Sequence, residues 1–246
     1  NVNVTIFILY DINYQQTGKE EFYIIHPEVY KDINIKYITP ENIEEDKKIL
    51  KGRYGFTTKE AEFILGYGHS KGRNTLMYYA LKRRMDYLLF WDDDEYPVAC
   101  VKEENGQIQW IPQDNIIKHL ENIKAADVSV GYHCGYISPI PYMELNEEIE
   151  EKIFKSYIEA ISNELVEWDN IKRIMQKNNG VTYADPDIAR GEGKYEIGLE
   201  KGSKWVAGST LCLNLKRIEN IPAFYNPPGA RGEDTFFSMM LDNCKV

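Results

Sequence analysis

The run Met85-Asp86-Tyr87-Leu88-Leu89-Phe90-Trp91, with its abrupt end at Asp92-Asp93-Asp94-Glu95, constrains the fold more than any other feature. A stretch apolar at consecutive positions suits a strand covered on both faces, and such strands sit in the middle of α/β sheets. Ligands of those sheets gather at the carboxyl ends of the strands. Three adjacent aspartates repel one another, so each gains from a cation that neutralises it. A hard divalent ion, Mg²⁺ or Mn²⁺, takes one or two carboxylates, water and the oxygens of a diphosphate. In extended backbone Asp92 and Asp94 face one side and Asp93 the other, so the first two can share one ion. A solvated acidic turn is the plainer alternative.

The rest of the chain alternates strand and helix patterns. Residues 4–10, 22–25, 33–38, 127–131 and 205–215 read as strands. Thr39 with Pro40 caps a helix, and Thr57-Thr58-Lys59-Glu60 caps a shorter one through Leu65. Residues 66–74 read as a glycine-punctuated loop before a helix over 75–84, and further helices are expected over 115–125 and 235–241. Between 145 and 177 the residues Leu145, Ile149, Ile153, Tyr157, Ile161, Leu165 and Trp168 form an apolar helical stripe suited to core or lid packing. Residues 185–204 are polar and glycine-rich, a mobile-loop candidate.

With 39 acidic and 29 basic side chains the net charge is −10, which argues against a duplex nucleic-acid binder. A hydrophobic share of 43% is enough for a packed core, and 246 residues suit one domain with insertions. No apolar run approaches a membrane span, and no charged-then-apolar leader opens the sequence. The expected location is cytoplasmic or peripheral to a membrane. Cys100, Cys134, Cys212 and Cys244 are too dispersed for a zinc site or a redox pair and read as free thiols.

The strand ending in Asp92-Asp93-Asp94 resembles the DxD motif of nucleotide-sugar glycosyltransferases with the GT-A fold. Gly72-Arg73-Asn74 is similar to the Arg-Asn that family 2-like members carry upstream, and Gly232-Glu233-Asp234 before Thr235-Phe236-Phe237 resembles their Glu-Asp motif. The resemblance implies a Rossmann-like three-layer α/β/α fold with a central, mostly parallel mixed sheet. It spans the chain as one glycosyltransferase domain, with a donor-binding half over 1–98 and an acceptor-binding half over 99–246 carrying the 145–177 helical insertion.

Site roles follow from the resemblance. Asp92 and Asp94 would coordinate Mn²⁺ or Mg²⁺ on the donor diphosphate, and Asp93 would contact the ribose or sugar. Arg73, with Asn74 beside it, would add charge near the diphosphate, unless Arg73 is simply one of the solvated cations of a basic stretch. Asp11 ends the first strand where it could bond the base or ribose, or merely cap the strand exit. Asp234 would be the general base of an inverting transfer and Glu233 would orient the acceptor, although both also suit a helix N-terminus. Trp205 would form a wall against the sugar, or pack in the core. Relatives often carry a third metal ligand, frequently a histidine, after the Glu-Asp helix. His133 is the available, distant substitute.

The donor is expected to be a UDP- or GDP-linked sugar and the acceptor a glycan, lipid or protein. The competing readings are a metal-dependent nucleotidyltransferase or phosphatase and a non-catalytic carbohydrate-binding relative. Against a haloacid-dehalogenase-type phosphatase, Tyr96 stands where a threonine belongs.

Overall fold

The computed structural model describes residues 2–10, 25–135, 150–161, 168, 181–191, 194–200, 202–227 and 232–246. The chain divides into two compact units, residues 1–85 with 223–226, and residues 86–222 with 227–246.

The first unit opens with strand β1 (Thr5–Leu9), followed by helix α1 (Val29–Asp32), strand β2 (Asn34–Ile38), and helices α2 (Pro40–Tyr54), α3 (Thr58–Ile64) and α4 (His69–Lys82). β1 and β2 pair in parallel, Thr5 against Asn34 through Leu9 against Ile38. α2 starts where the sequence indicates: Pro40 has no N–H to lose at the first turn, and Thr39 and Asn42 bond each other's backbone N–H reciprocally. Thr57 and Glu60 do the same for α3. Ile38, Ile43, Leu50, Ala61, Leu65 and Tyr79 form the core of this unit. The buried carboxylate of Asp46 links α2 to α4 by accepting from Lys82 Nζ at 2.5 Å and Tyr78 Oη at 3.2 Å. Burial and that carboxylate push the Tyr78 phenol up to about 12.

α4 begins six residues before the expected helix, at His69, so Arg73 and Asn74 lie on a helix rather than in a loop. Gly68, at φ 85°, makes the left-handed entry to the helix that a side chain would strain. Gly72 tolerates helix geometry and lies against Leu9 of β1, whose Cδ2 would be 3.7 Å from an added Cβ.

The second unit contains β3 (Tyr87–Phe90), β4 (Val98–Lys102), β5 (Ile108–Pro112), α5 (Asn115–Ile123), β6 (Val128–Val130), α6 (Glu151–Ile161), α7 (Pro186–Ala189), β7 (Leu211–Asn214), a 3-10 segment (Leu215–Asn220) and α8 (Glu233–Met239). Its main sheet has the order β3-β7-β6, and β7 runs antiparallel to both neighbours. The protein is therefore a mixed α/β structure in which β1–β2 pair in parallel and the strands around the acid cluster pair antiparallel. The central, doubly covered strand is β7, buried at all four positions, whereas β3 alternates half-buried and buried residues. β7 is shorter than expected because Gly208, Ser209 and Thr210 turn before Leu211. Among the described residues no helix is long and apolar enough to cross a membrane.

Three further features differ from the sequence pattern. β4 and β5 form a hairpin, closed at Asn105-Gly106 with Gly106 at φ 82°, that replaces the unassigned stretch after the acids. On α6, Ile153 and Tyr157 of the expected stripe are exposed. Trp168 of that stripe is buried, and its ring meets Phe154, which lies outside the stripe, edge-on at 5.6 Å, with Trp168 Nε1 donating to Glu151. The polar stretch after Asp185 includes α7, which Asp185 caps through the N–H groups of Asp187 and Ile188.

His119 of α5 is 5% exposed, and its Nδ1 lies 2.8 Å from Ser129 Oγ on β6. Burial lowers its pKa to about 4. Below pH 6.5 the unfolded chain therefore binds a proton that the folded chain refuses, so stability is full above about pH 6.5 and falls until about pH 4. A difference of that size corresponds to about 3 kcal/mol. Urea titrations at pH 7 and pH 4.5 should show this loss, and His119→Gln should remove most of its pH dependence.

Candidate functional site

β3 delivers its apolar residues to the sheet and stops at Phe90, where the acids begin. Aspartate favours turns, and three carboxylates repel least when solvated. The backbone accordingly folds into a turn with Asp93 and Asp94 at its centre: the Glu95 N–H donates to the Asp92 carbonyl at 3.4 Å. Trp91 reaches over it, its Nε1 donating to the Glu95 carbonyl at 3.1 Å. Asp92, Asp93 and Asp94 are all exposed. This corrects the expectation that an extended backbone sorts Asp92 and Asp94 to one side and Asp93 to the other, because strand alternation does not continue through a turn.

Leu211, the first residue of β7, pairs with Phe90 on one side and Val130 on the other. The carboxyl ends of β3 and β6 and the approach to β7 therefore meet at one edge of the sheet. There His133 Nε2 lies 3.3 Å from Glu95 Oε1, 2.9 Å from Ser209 Oγ, 3.2 Å from the Ser209 carbonyl and 3.2 Å from Thr210 Oγ1. The carbonyl and the carboxylate can only accept, so Nε2 carries a proton. Thr210 is held at φ 46°, a left-handed conformation that costs a β-branched residue about 1–2 kcal/mol. Gly131 makes room for it: its N–H donates to the Thr210 carbonyl at 2.9 Å, and an added Cβ would stand 2.7 Å from Thr210 Oγ1. Among the described residues, no group hydrogen-bonds the buried Glu95 Oε2.

The second acidic motif lies in the same unit. Gly232, at φ 88°, turns the chain into α8, whose first turn carries Glu233 and Asp234. Glu233 is 7% exposed, whereas Asp234 is half-buried and accepts from the Thr235 N–H at 2.9 Å. Trp205 is half-buried beside this helix, because Lys204 N–H donates to the Ser238 carbonyl and Val206 N–H to Ser238 Oγ, both at 3.1 Å. Trp205 and the Glu233-Asp234 helix thus belong to one packed substructure.

Arg73 and Asn74 are in the first unit. The Arg73 guanidinium lies 5.9 Å from the Phe224 ring centroid. Asn74, 4% exposed, donates from Nδ2 to the Phe224 carbonyl and accepts from its N–H, both at 2.9 Å. Its amide stitches residues 223–226 to α4, and Asn74→Ala should lower stability by about 2–4 kcal/mol, read as a lower urea midpoint at unchanged slope. Asp11 lies outside the described residues.

The donor set at the acid turn consists of hard, exposed carboxylate oxygens, which fits Mg²⁺ or Mn²⁺ shared with a diphosphate. Among the described residues no group of three or more His, Cys, Asp or Glu side chains is arranged to hold a metal on its own. All four cysteines are free, and burial pushes Cys212 up to about 12. Glu95, Ser209 and Thr210 are the neighbours that the sequence did not single out. Glu95 was visible only as a fourth acid, and the other two were absorbed into an expected strand. No protein-family model matches the chain, and neither a curated protein nor a solved structure matches it.

Proposed function

We propose that this protein is a metal-dependent glycosyltransferase of the GT-A type that moves a sugar from a UDP- or GDP-linked donor to an acceptor hydroxyl with inversion. The observation that carries the reading is the acid turn: three exposed aspartates at the carboxyl end of a sheet strand, anchored from behind by Trp91 and Glu95. Asp92 and Asp94 would hold Mn²⁺ or Mg²⁺, which would supply Lewis-acid stabilisation of the departing diphosphate. Asp93 bonds the donor ribose or sugar. Asp234 takes the proton from the acceptor hydroxyl on the face opposite the leaving group, and Glu233 orients that hydroxyl. Trp205 offers a ring face to the C–H surface of a sugar.

Incubating the protein with a panel of UDP- and GDP-sugars and Mn²⁺ tests the assignment. Nucleoside diphosphate should be released from at least one donor and should fall to background with EDTA. Release of inorganic phosphate instead would favour phosphoryl chemistry, and no release from any donor would count against the assignment.

A further inference from the structure

We propose that His133 is a positioning residue for the acid turn, holding Asp92 and Asp94 ready for a diphosphate-bound divalent cation without itself touching the ion. The inference rests on the glycosyltransferase reading and adds to it a residue that no motif supplies.

Glu95 links the acid turn to His133. Its N–H and carbonyl close the turn on Asp92 and Trp91, and its side chain leaves the turn to meet His133. His133 passes that hold to the sheet through the hydroxyls of Ser209 and Thr210 and the Ser209 carbonyl. The strained Thr210 and the glycine that accommodates it put both hydroxyls within reach of the same ring nitrogen. A backbone conformation that is locally unfavourable persists only where its surroundings over-determine it. Three flexible aspartates on a free turn would lose rotamer and backbone freedom on binding an ion, whereas a turn already tied to the sheet loses less. Nε2 faces four oxygens, all of them on Glu95, Ser209 and Thr210, so His133 acts on the turn through Glu95 and does not join the ligands.

Mn²⁺ binding followed by electron paramagnetic resonance in the presence of saturating UDP or GDP tests this. His133→Leu should weaken Mn²⁺ about 10-fold, the low end of the range for direct partners of metal ligands, because His133 acts on the turn through Glu95. His133→Gln, whose amide nitrogen can donate to the same oxygens, should recover most of the affinity. Glu95→Ala breaks the same link, so it should match His133→Leu, and the double variant should be no worse than either single one. His119→Gln, at a buried histidine elsewhere in the unit, controls for loss of stability alone and should bind Mn²⁺ normally. Wild-type affinity in both His133→Leu and Glu95→Ala would overturn the positioning role and leave the glycosyltransferase reading standing. Absence of nucleotide-dependent Mn²⁺ binding in the wild type would overturn both.

Discussion

Asp94→Asn and Asp92→Asn should each reduce sugar transfer by about 10³-fold or more while the protein stays folded. The magnitude follows from the ligand's job. Lewis-acid stabilisation of a leaving diphosphate contributes several kcal/mol, and about 4 kcal/mol is about 10³ in rate. Removing one of two anionic oxygens at an otherwise solvated site takes away most of that hold. The three side chains are exposed, and the turn is closed by backbone groups of Asp92 and Glu95 and by the Trp91 indole, none of which an isosteric amide removes. Thermal midpoints should therefore be unchanged, and excess Mn²⁺ should restore part of the rate. Asp93→Asn keeps both assigned ligands and should lose less. Since the turn removes the strand alternation that would set Asp93 apart, equal losses in all three variants would reassign the ligand pair. Normal rates in all three would place the chemistry elsewhere.

Asp234→Asn should lower turnover by about 10²- to 10⁴-fold with donor affinity preserved, the contribution typical of a general base. This substitution separates catalysis from capping. Asp234 Oδ1 accepts from the Thr235 N–H, and an asparagine oxygen can accept the same bond. α8 should thus remain formed, apart from a few tenths of a kcal/mol of helix-dipole interaction. If capping were the residue's whole contribution, turnover would survive. Donor titrations alongside single-turnover assays would distinguish the outcomes, and an unchanged rate would remove Asp234 from the reaction.

Local signals in the sequence were legible where they act locally. Thr39 with Pro40 and Thr57 with Glu60 mark helix starts because each cap is completed within four residues. The acid cluster was legible as a strand end for the same reason. What was hidden depends on partners far along the chain. The antiparallel insertion of β7 between β3 and β6 joins residues 87–90, 128–130 and 211–214, and no one of those stretches encodes its neighbour. His133 meets Glu95 and Ser209 only once that sheet exists. Asn74 read as a ligand candidate because it follows Arg73, whereas its amide is bonded to the backbone of Phe224. The β4–β5 hairpin was within reach of the sequence, since Asn105-Gly106 is a strong turn signal between apolar runs. The helical start at His69 was not, because Gly68 and Gly72 together read as a loop and only packing on Leu9 explains the second.

The most direct measurement is a calorimetric titration of the wild-type protein with UDP and with GDP, carried out with Mn²⁺, with Mg²⁺ and with EDTA. Binding of at least one nucleotide that depends on a divalent ion is the predicted result. Nucleotide binding of equal strength in EDTA, or no binding of either nucleotide with either ion, would contradict the assignment of Asp92 and Asp94 to a cation shared with a diphosphate.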